Sequence, residues 1–220
     1  MTDRIGVLVA EDQTFLRTSL RELIDDDPLL SAVGEARNGR EAVEAVDRLR
    51  PAVVLMDIRM PVLDGLVATG LICARHPDTK VVVLTTFDLD EYVYEALRSG
   101  ASAFLLKNAP AAEILRAIHT VHEGNAMLAP EVTRRMIANF ALPPAQSGDT
   151  GPAVFDVLTE RERDVVGAIV QGLSNEEIAA ELFLSRATVK TYLSRLFTKL
   201  GVRDRTQLVI LAYESGFVRR

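Results

Sequence analysis

Val53-Val-Leu-Met-Asp57-Ile-Arg-Met-Pro61 is an apolar run that delivers one aspartate to its end, with Asp64-Gly65 just beyond. Four apolar residues including two valines read as a strand buried on both faces. Pro61 and the Asp-Gly pair then stop it with a turn. In open α/β sheets ligands bind outside the carboxyl ends of the strands, so Asp57 stands where chemistry is usually placed.

Working outward, Ile5-Gly-Val-Leu-Val-Ala10 is a second such run, and it ends directly at Glu11-Asp12. Helical periodicity follows from Thr14 to Ile24, with Phe15, Leu16, Leu20, Leu23 and Ile24 on one face. Ser31 to Ala36 reads as a short strand, and residues 40–49 read as a helix leading into the Asp57 strand. A helix near residues 66–75, the strand Lys80–Thr85, a helix near 91–98 closed by Gly100, the strand 103–107 and a helix near 111–123 continue the alternation. Strand and helix alternate as right-handed βαβ units require. The expectation is a flavodoxin-like, doubly wound five-stranded parallel sheet over residues 1–126.

Four strand ends then carry polar residues: Glu11-Asp12, Asp57, Thr85 and Lys107. Clustered carboxylates repel one another and take up protons unless a cation shares the site, and a hard divalent ion with oxygen ligands suits them. Mg²⁺ is therefore the expected cofactor. It would leave Asp57 free to attack a phosphoryl group whose oxygens Lys107 and Thr85 could meet with donors. Charged residues merely flanking strands are the blander explanation for any one of these positions, but not for five of them at four parallel strand ends.

A short helix is expected over residues 130–140, and the Pro-, Gly- and Ser-rich residues 142–152 read as a flexible linker, so residues 127–154 are assigned to the connection. Residues 155–220 show no strand pattern. Thr159 with Glu162 and Ser174 with Glu177 fit capping boxes, Ser185 is a third cap, and Gly172, Gly201 and Gly216 sit at helix ends. A small all-α domain of four helices results, near 160–171, 175–183, 186–200 and 205–214, the middle pair spaced as a helix-turn-helix. On the third of these, Val189, Leu193, Leu196, Phe197 and Leu200 form an apolar stripe, so Ala187, Lys190, Thr191, Ser194 and Thr198 point the other way. Such an outer face can approach base edges in a major groove, while Arg195 and Lys199 at its margin neutralise phosphates.

Charge agrees with that division. Residues 1–154 hold 15 Lys+Arg against 22 Asp+Glu, whereas residues 155–220 hold 10 against 9. Within 185–205, Arg186, Lys190, Arg195, Lys199, Arg203 and Arg205 face a single acid, Asp204. An acidic first half joined to a locally basic second half suggests a regulatory unit attached to a nucleic-acid reader.

The residues so far assembled resemble, in the first half, the receiver domain of bacterial two-component response regulators. The matching residues are Glu11-Asp12, Asp57 with Pro61 and Asp64-Gly65, Thr85, Phe104, and Lys107 followed by Pro110. Leu158-Thr-Glu-Arg-Glu162, Gly172 to Ala179, Ser185 to Lys190 and Lys199 to Val202 with Arg205 look like the LuxR-type helix-turn-helix. Together the two halves resemble the NarL/FixJ class of response regulators. That resemblance implies that Asp57 accepts phosphate from a sensor histidine kinase, that Asp12, Asp57 and the carbonyl of Arg59 hold Mg²⁺ with Glu11 acting mainly through water, and that Thr85 and Phe104 are a switch pair whose ring follows inward. It further implies base contacts from Lys190, Thr191 and Ser194 and backbone contacts from Thr188, Arg195 and Lys199. Leu208, Val209, Leu211 and Ala212 correspond to a dimer face, and RNA polymerase is the implied downstream partner. Ala103 and Asn108, often glycine and aspartate in relatives, are departures outside the chemistry; Tyr192, where histidine is frequent, leaves its contact open.

Other functions fit less well. A phosphatase that turns over a phosphoaspartate needs a second aspartate two residues after the nucleophile, where Arg59 stands, and no Gly-x-x-x-x-Gly-Lys-Ser/Thr stretch marks a P-loop enzyme. No enzyme activity is expected. His119 and His122, one turn apart with His76 distant, read as exposed helix residues rather than ligands, and the lone Cys73 as a buried apolar residue. No apolar run approaches the ~20 residues of a membrane span. The start Met-Thr-Asp-Arg is unlike a cleavable signal, so a soluble cytoplasmic protein without membrane contact is expected. A regulator that binds DNA without phosphorylation stays open as an alternative.

Overall fold

A computed structural model of the chain describes residues 4–86, 95–124, 127–128 and 152–217. Two compact units are present, Met1–Val132 and Thr133–Arg220. In the first, β1 (Ile5–Ala10), α1 (Thr14–Asp26), β2 (Leu30–Ala36), α2 (Gly39–Leu49), β3 (Val53–Asp57), α3 (Gly65–Arg75) and β4 (Lys80–Thr85) alternate as expected. A helical segment α4 (95–98), β5 (Ala103–Leu106) and α5 (Ala111–His122) follow. The helix expected at 91–98 is described only over its last four residues, and the expected helix at 130–140 and nearly all of the linker lie outside the described residues.

The sheet runs β2-β1-β3-β4-β5-β6 with every neighbouring pair parallel. Its five long strands are those read from the sequence. The sixth, β6 (Met127–Leu128), pairs with Ala103 and Phe104 just past the expected boundary at residue 126. Two residues are too few to carry an apolar period, so no pattern announces this strand.

β3 is central and buried along its whole length, which is why it reads as an unbroken apolar run. Leu20 and Ile24 from α1 and Ile114, Ala117, Ile118 and Val121 from α5 pack on Val7, Val9, Val53, Leu55, Val82 and Leu84. Leu8, Val54, Met56, Val81 and Val83 alternate with these, and α2 and α3 lie against the strands from that side. Each such side chain withdrawn from water contributes roughly 1.5–3 kcal/mol, so the apolar layers hold the strand ends in place.

Among the described residues the second unit shows a 3₁₀ turn, Pro152–Phe155, followed by α6 (Glu160–Val170), α7 (Asn175–Glu181), α8 (Arg186–Leu200) and α9 (Arg205–Glu214). Both expected capping boxes form, at Thr159 with Glu162 and at Ser174 with Glu177, and Ser185 Oγ accepts from Thr188 N at 3.0 Å. Asp204 caps α9 by accepting from Gln207 N at 3.1 Å. The α8 helix ends on Gly201 at φ 66°, a left-handed position that glycine takes without strain. Rings of Phe155 and Phe217, 4.5 Å apart, bring together the 3₁₀ turn and the residues just after α9.

Candidate functional site

Strand register builds the first site. Ala10 lies opposite Met56 and Asp57 opposite Leu84, so Glu11-Asp12, Asp57 and Thr85 emerge side by side at one edge of the sheet. Thr85 pairs with Leu106, which sets Lys107 next in the row, and Lys107 N donates to Thr85 O at 2.7 Å. Lys107 Nζ lies 2.9 Å from Asp57 Oδ2 and 2.7 Å from Glu11 Oε2.

Glu11 and Asp57 are buried, whereas Asp12 is exposed. Burial pushes the Asp57 carboxyl above the ordinary aspartate range; Lys107 opposes that, the Arg59 main-chain hydrogen bond opposes it further, and Asp12 adds to it. Glu11 is raised in the same way, by burial first, against Lys107 and with Asp57 adding to the rise. Burial disfavours the Lys107 charge, but the two carboxylates outweigh it and lift that pKa above the usual lysine value. One ammonium thus leaves the carboxylate cluster short of positive charge.

One oxygen from each of Glu11, Asp12 and Asp57 can lie within 4.8 Å of the others. An all-oxygen donor set of this size, short of cationic partners, suits Mg²⁺. The loop after β3 is shaped for close approach: a Cβ on Gly65 would stand 1.8 Å from the Asp57 carbonyl oxygen, and Gly65 N donates to Ile58 O at 2.8 Å. Asp64, which reads in sequence as part of a turn, also caps α3 by accepting from Leu66 N at 2.8 Å.

Phe104, the aromatic member of the expected switch pair, is 2% exposed. Two expectations need correction here. His119 is not an exposed helix residue: its side chain is half-buried, with Nε2 3.1 Å from Asp27 Oδ2, whereas His122 is exposed. Cys73 is half-buried, its thiol 3.4 Å from Gly100 O.

The second site is the outer face of α8. Val189, Leu193 and Leu196 are buried, while Ala187, Lys190, Thr191, Ser194, Arg195, Thr198 and Lys199 are exposed and Thr188 is half-buried. The hydroxyls of Thr191 and Thr198 donate back to Ala187 O and Ser194 O, each at 3.0 Å. Local charge is less available than the count suggests. Lys199 Nζ is 2.8 Å from Glu162 Oε2, and Arg186 is paired with Glu176.

Arg205 is no part of that face. It is buried, donates to the carbonyls of Leu173 and Ile169 and to Asn175 Oδ1, and burial lowers its pKa to about 10. The expected dimer face is also corrected at three of four positions: Leu208, Val209 and Ala212 are buried within the chain, and only Leu211 keeps part of its surface. An apolar stripe marks core and interface alike, and here core wins.

Comparison with known proteins places both halves. The model of the response regulator receiver domain matches residues 7–119, and that of the bacterial regulatory proteins of the luxR family matches residues 156–212. The transcriptional regulatory protein LnrK of Bacillus subtilis is 40% identical over 215 residues, covering 96% of this chain and 98% of that one. LiaR, a transcriptional regulatory protein of the same organism, is 36% identical over 214 residues, covering 97% and 99%. Among solved structures, the response regulator ChrA of a heme-sensing two-component system aligns with a TM-score of 0.52 at 32% identity, over 98% of this chain and 99% of that one. With a receiver half whose strand ends gather Glu11, Asp12, Asp57, Thr85 and Lys107 and a helix-turn-helix half, the chain belongs to the two-component response regulators that carry a LuxR-type DNA-binding domain.

Proposed function

We propose that a sensor histidine kinase phosphorylates Asp57 and that this modification controls sequence-specific binding of the chain to double-stranded DNA in the cytoplasm. The observation that carries the reading is the register-built row of Glu11, Asp57 and Lys107, with the ammonium 2.9 Å from the aspartate. In the transfer, an Asp57 oxygen forms the new bond to phosphorus as the donor's bond to phosphorus breaks. Lys107 and Thr85 then meet the phosphoryl oxygens with donors. Asp12, Asp57 and the Arg59 carbonyl, with Glu11 through water, would hold Mg²⁺, which would supply positive charge at the phosphoryl group.

On the DNA side, Lys190, Thr191 and Ser194 approach base edges, while Thr188, Arg195 and Lys199 contact phosphates. Phosphorylation favours a homodimer, which sets two recognition helices on half-sites about one turn, ~34 Å, apart, where RNA polymerase is the partner acted upon. With three of the four α9 positions buried, the dimer contact is assigned outside them. The domain limits that go with this reading are 1–126, 127–154 and 155–220, with β6 extending the first. The chain then acts as a regulator and not as an enzyme. Among the described residues no helix is long and apolar enough to cross a membrane.

The test is intact-mass spectrometry of the chain after incubation with acetyl phosphate and Mg²⁺, beside Asp57→Asn. One phosphoryl group on the unsubstituted chain and none on the variant is expected; equal labelling of both would remove Asp57 as the acceptor.

A further inference from the structure

The β1–α1 connection carries the acidic pair, and one buried side chain grips it. Arg17 lies on the face of α1 that also buries Leu20 and Ile24, and its side chain is 6% exposed. Its Nη1 donates to the main-chain oxygens of Glu11 at 2.8 Å and Asp12 at 3.3 Å, and Nη2 reaches Thr14 Oγ1 at 3.4 Å. Its Nε donates to Glu35 Oε2 on β2 at 3.1 Å, and the other oxygen of Glu35 accepts from Arg21 at 2.7 Å. A buried guanidinium must spend its donors on fixed acceptors, and its planar fork sets their relative direction. Here two of those acceptors are the successive carbonyls of the residues whose carboxylates line the pocket.

The two side chains are not equally held without it. Glu11 has further anchors, accepting from Gln13 N at 3.2 Å and facing Lys107. Asp12 is exposed, so the direction of its Cα–Cβ bond is set from the main-chain side, where Arg17 acts.

We propose that Arg17, oriented by Glu35, is a positioning residue for the divalent-cation site: it fixes the Glu11-Asp12 peptide planes so that both carboxylates converge on Asp57. This rests on the reading of the pocket as a Mg²⁺-dependent phosphoacceptor site. Outer partners that orient metal ligands typically change metal affinity 10–100-fold when removed. A lysine at position 17 reaches one carbonyl but cannot span two and Glu35 together, so it restores only part of the effect.

The experiment is calorimetric titration of the full chain with Mg²⁺, with melting temperatures in metal-free buffer, for Arg17→Gln, Arg17→Lys and Glu35→Gln. Arg17→Gln is expected to weaken Mg²⁺ binding about tenfold, with Glu35→Gln and Arg17→Lys in between. The rate of Asp57 labelling should return toward the unsubstituted value at high Mg²⁺. If Arg17→Gln does not fold, Glu35→Gln decides, because it keeps the guanidinium. Unchanged Mg²⁺ dissociation constants beside lowered melting temperatures would overturn the inference and leave Arg17 as a tie between α1 and β2. No Mg²⁺ binding by the unsubstituted chain would instead sink the pocket reading, and this inference with it.

Discussion

Val62 sits in the loop after Asp57 at φ 68°, a left-handed conformation that β-branched residues avoid, and it is 72% exposed. That backbone state costs an L-residue about 1–2 kcal/mol, and glycine returns roughly 0.5–1 kcal/mol of the gain through its greater freedom in the unfolded chain. Val62→Gly should therefore raise the melting temperature by a few degrees; a fall would show that the loop is not strained. Gly65 is the opposite case. Its missing Cβ makes room for the Asp57 carbonyl, so Gly65→Ala should destabilise well beyond the ~1 kcal/mol of an average substitution and reduce Asp57 labelling. Near-unchanged stability and labelling would contradict that close approach. Titration at this scale also has a sign. Burial raises the Asp57 and Glu11 carboxyls despite Lys107, so in metal-free buffer their stabilising contribution is present below the ordinary carboxylate range and lost as pH rises through the raised values. Protons then compete with Mg²⁺ at pH values above that range, and calorimetry should show affinity already falling as pH is lowered over the interval just above it. Constant affinity over that interval would contradict the raised carboxyls.

Elements tie their own ends to function. Glu162 closes the capping box of α6 and also receives Lys199 from α8, and its pKa is lowered by Lys199 first and by the Thr159 main-chain hydrogen bond. A lowered carboxyl stabilises above its unfolded value, about 4.3, and that contribution is lost as pH falls through the lowered one. Hydrogen-exchange protection of α6 and α8, corrected for intrinsic rates, should drop over that acid range in the unsubstituted chain and show no such step in Glu162→Gln. On α8, the exposed Arg195 should account for about one unit of the salt slope of DNA binding. Arg205→Ala should leave that slope alone and lower the melting temperature, since its guanidinium serves buried carbonyls. Equal loss of slope in both variants would put Arg205 back on the DNA face. The reason these roles differ also explains what the sequence makes legible. Asp57, Thr85 and Lys107 each end or follow an apolar strand, so pattern and chemistry coincide. Arg205 and Arg17 are charges whose acceptors are main-chain carbonyls, Arg205's more than 30 residues away, and no local pattern marks such a cage. Leu208, Val209 and Ala212 differ again: the family resemblance implies the dimer face, and their helical periodicity reports an apolar face without saying what covers it.

For the molecule as a whole, the strand alternation, the caps and the helix-turn-helix are local signals and carry both architectures. β6 is a two-residue pairing chosen by its neighbour β5, and it has no signal of its own. Coupling between the halves is a question of free energy: moving a switch from 1:99 to 99:1 requires about 5.5 kcal/mol of differential stabilisation, within reach of a few charge-assisted hydrogen bonds to a phosphoryl group. The most direct measurement is the affinity of the full chain for a DNA duplex selected from a random pool, before and after acetyl phosphate with Mg²⁺, beside Asp57→Asn. We expect the unsubstituted chain alone to bind at least about tenfold more tightly after phosphorylation, a coupling of about 1.4 kcal/mol. Equal affinity in all four states, with Asp57 shown to be labelled, would contradict phosphorylation control and leave a DNA-binding regulator that works without it.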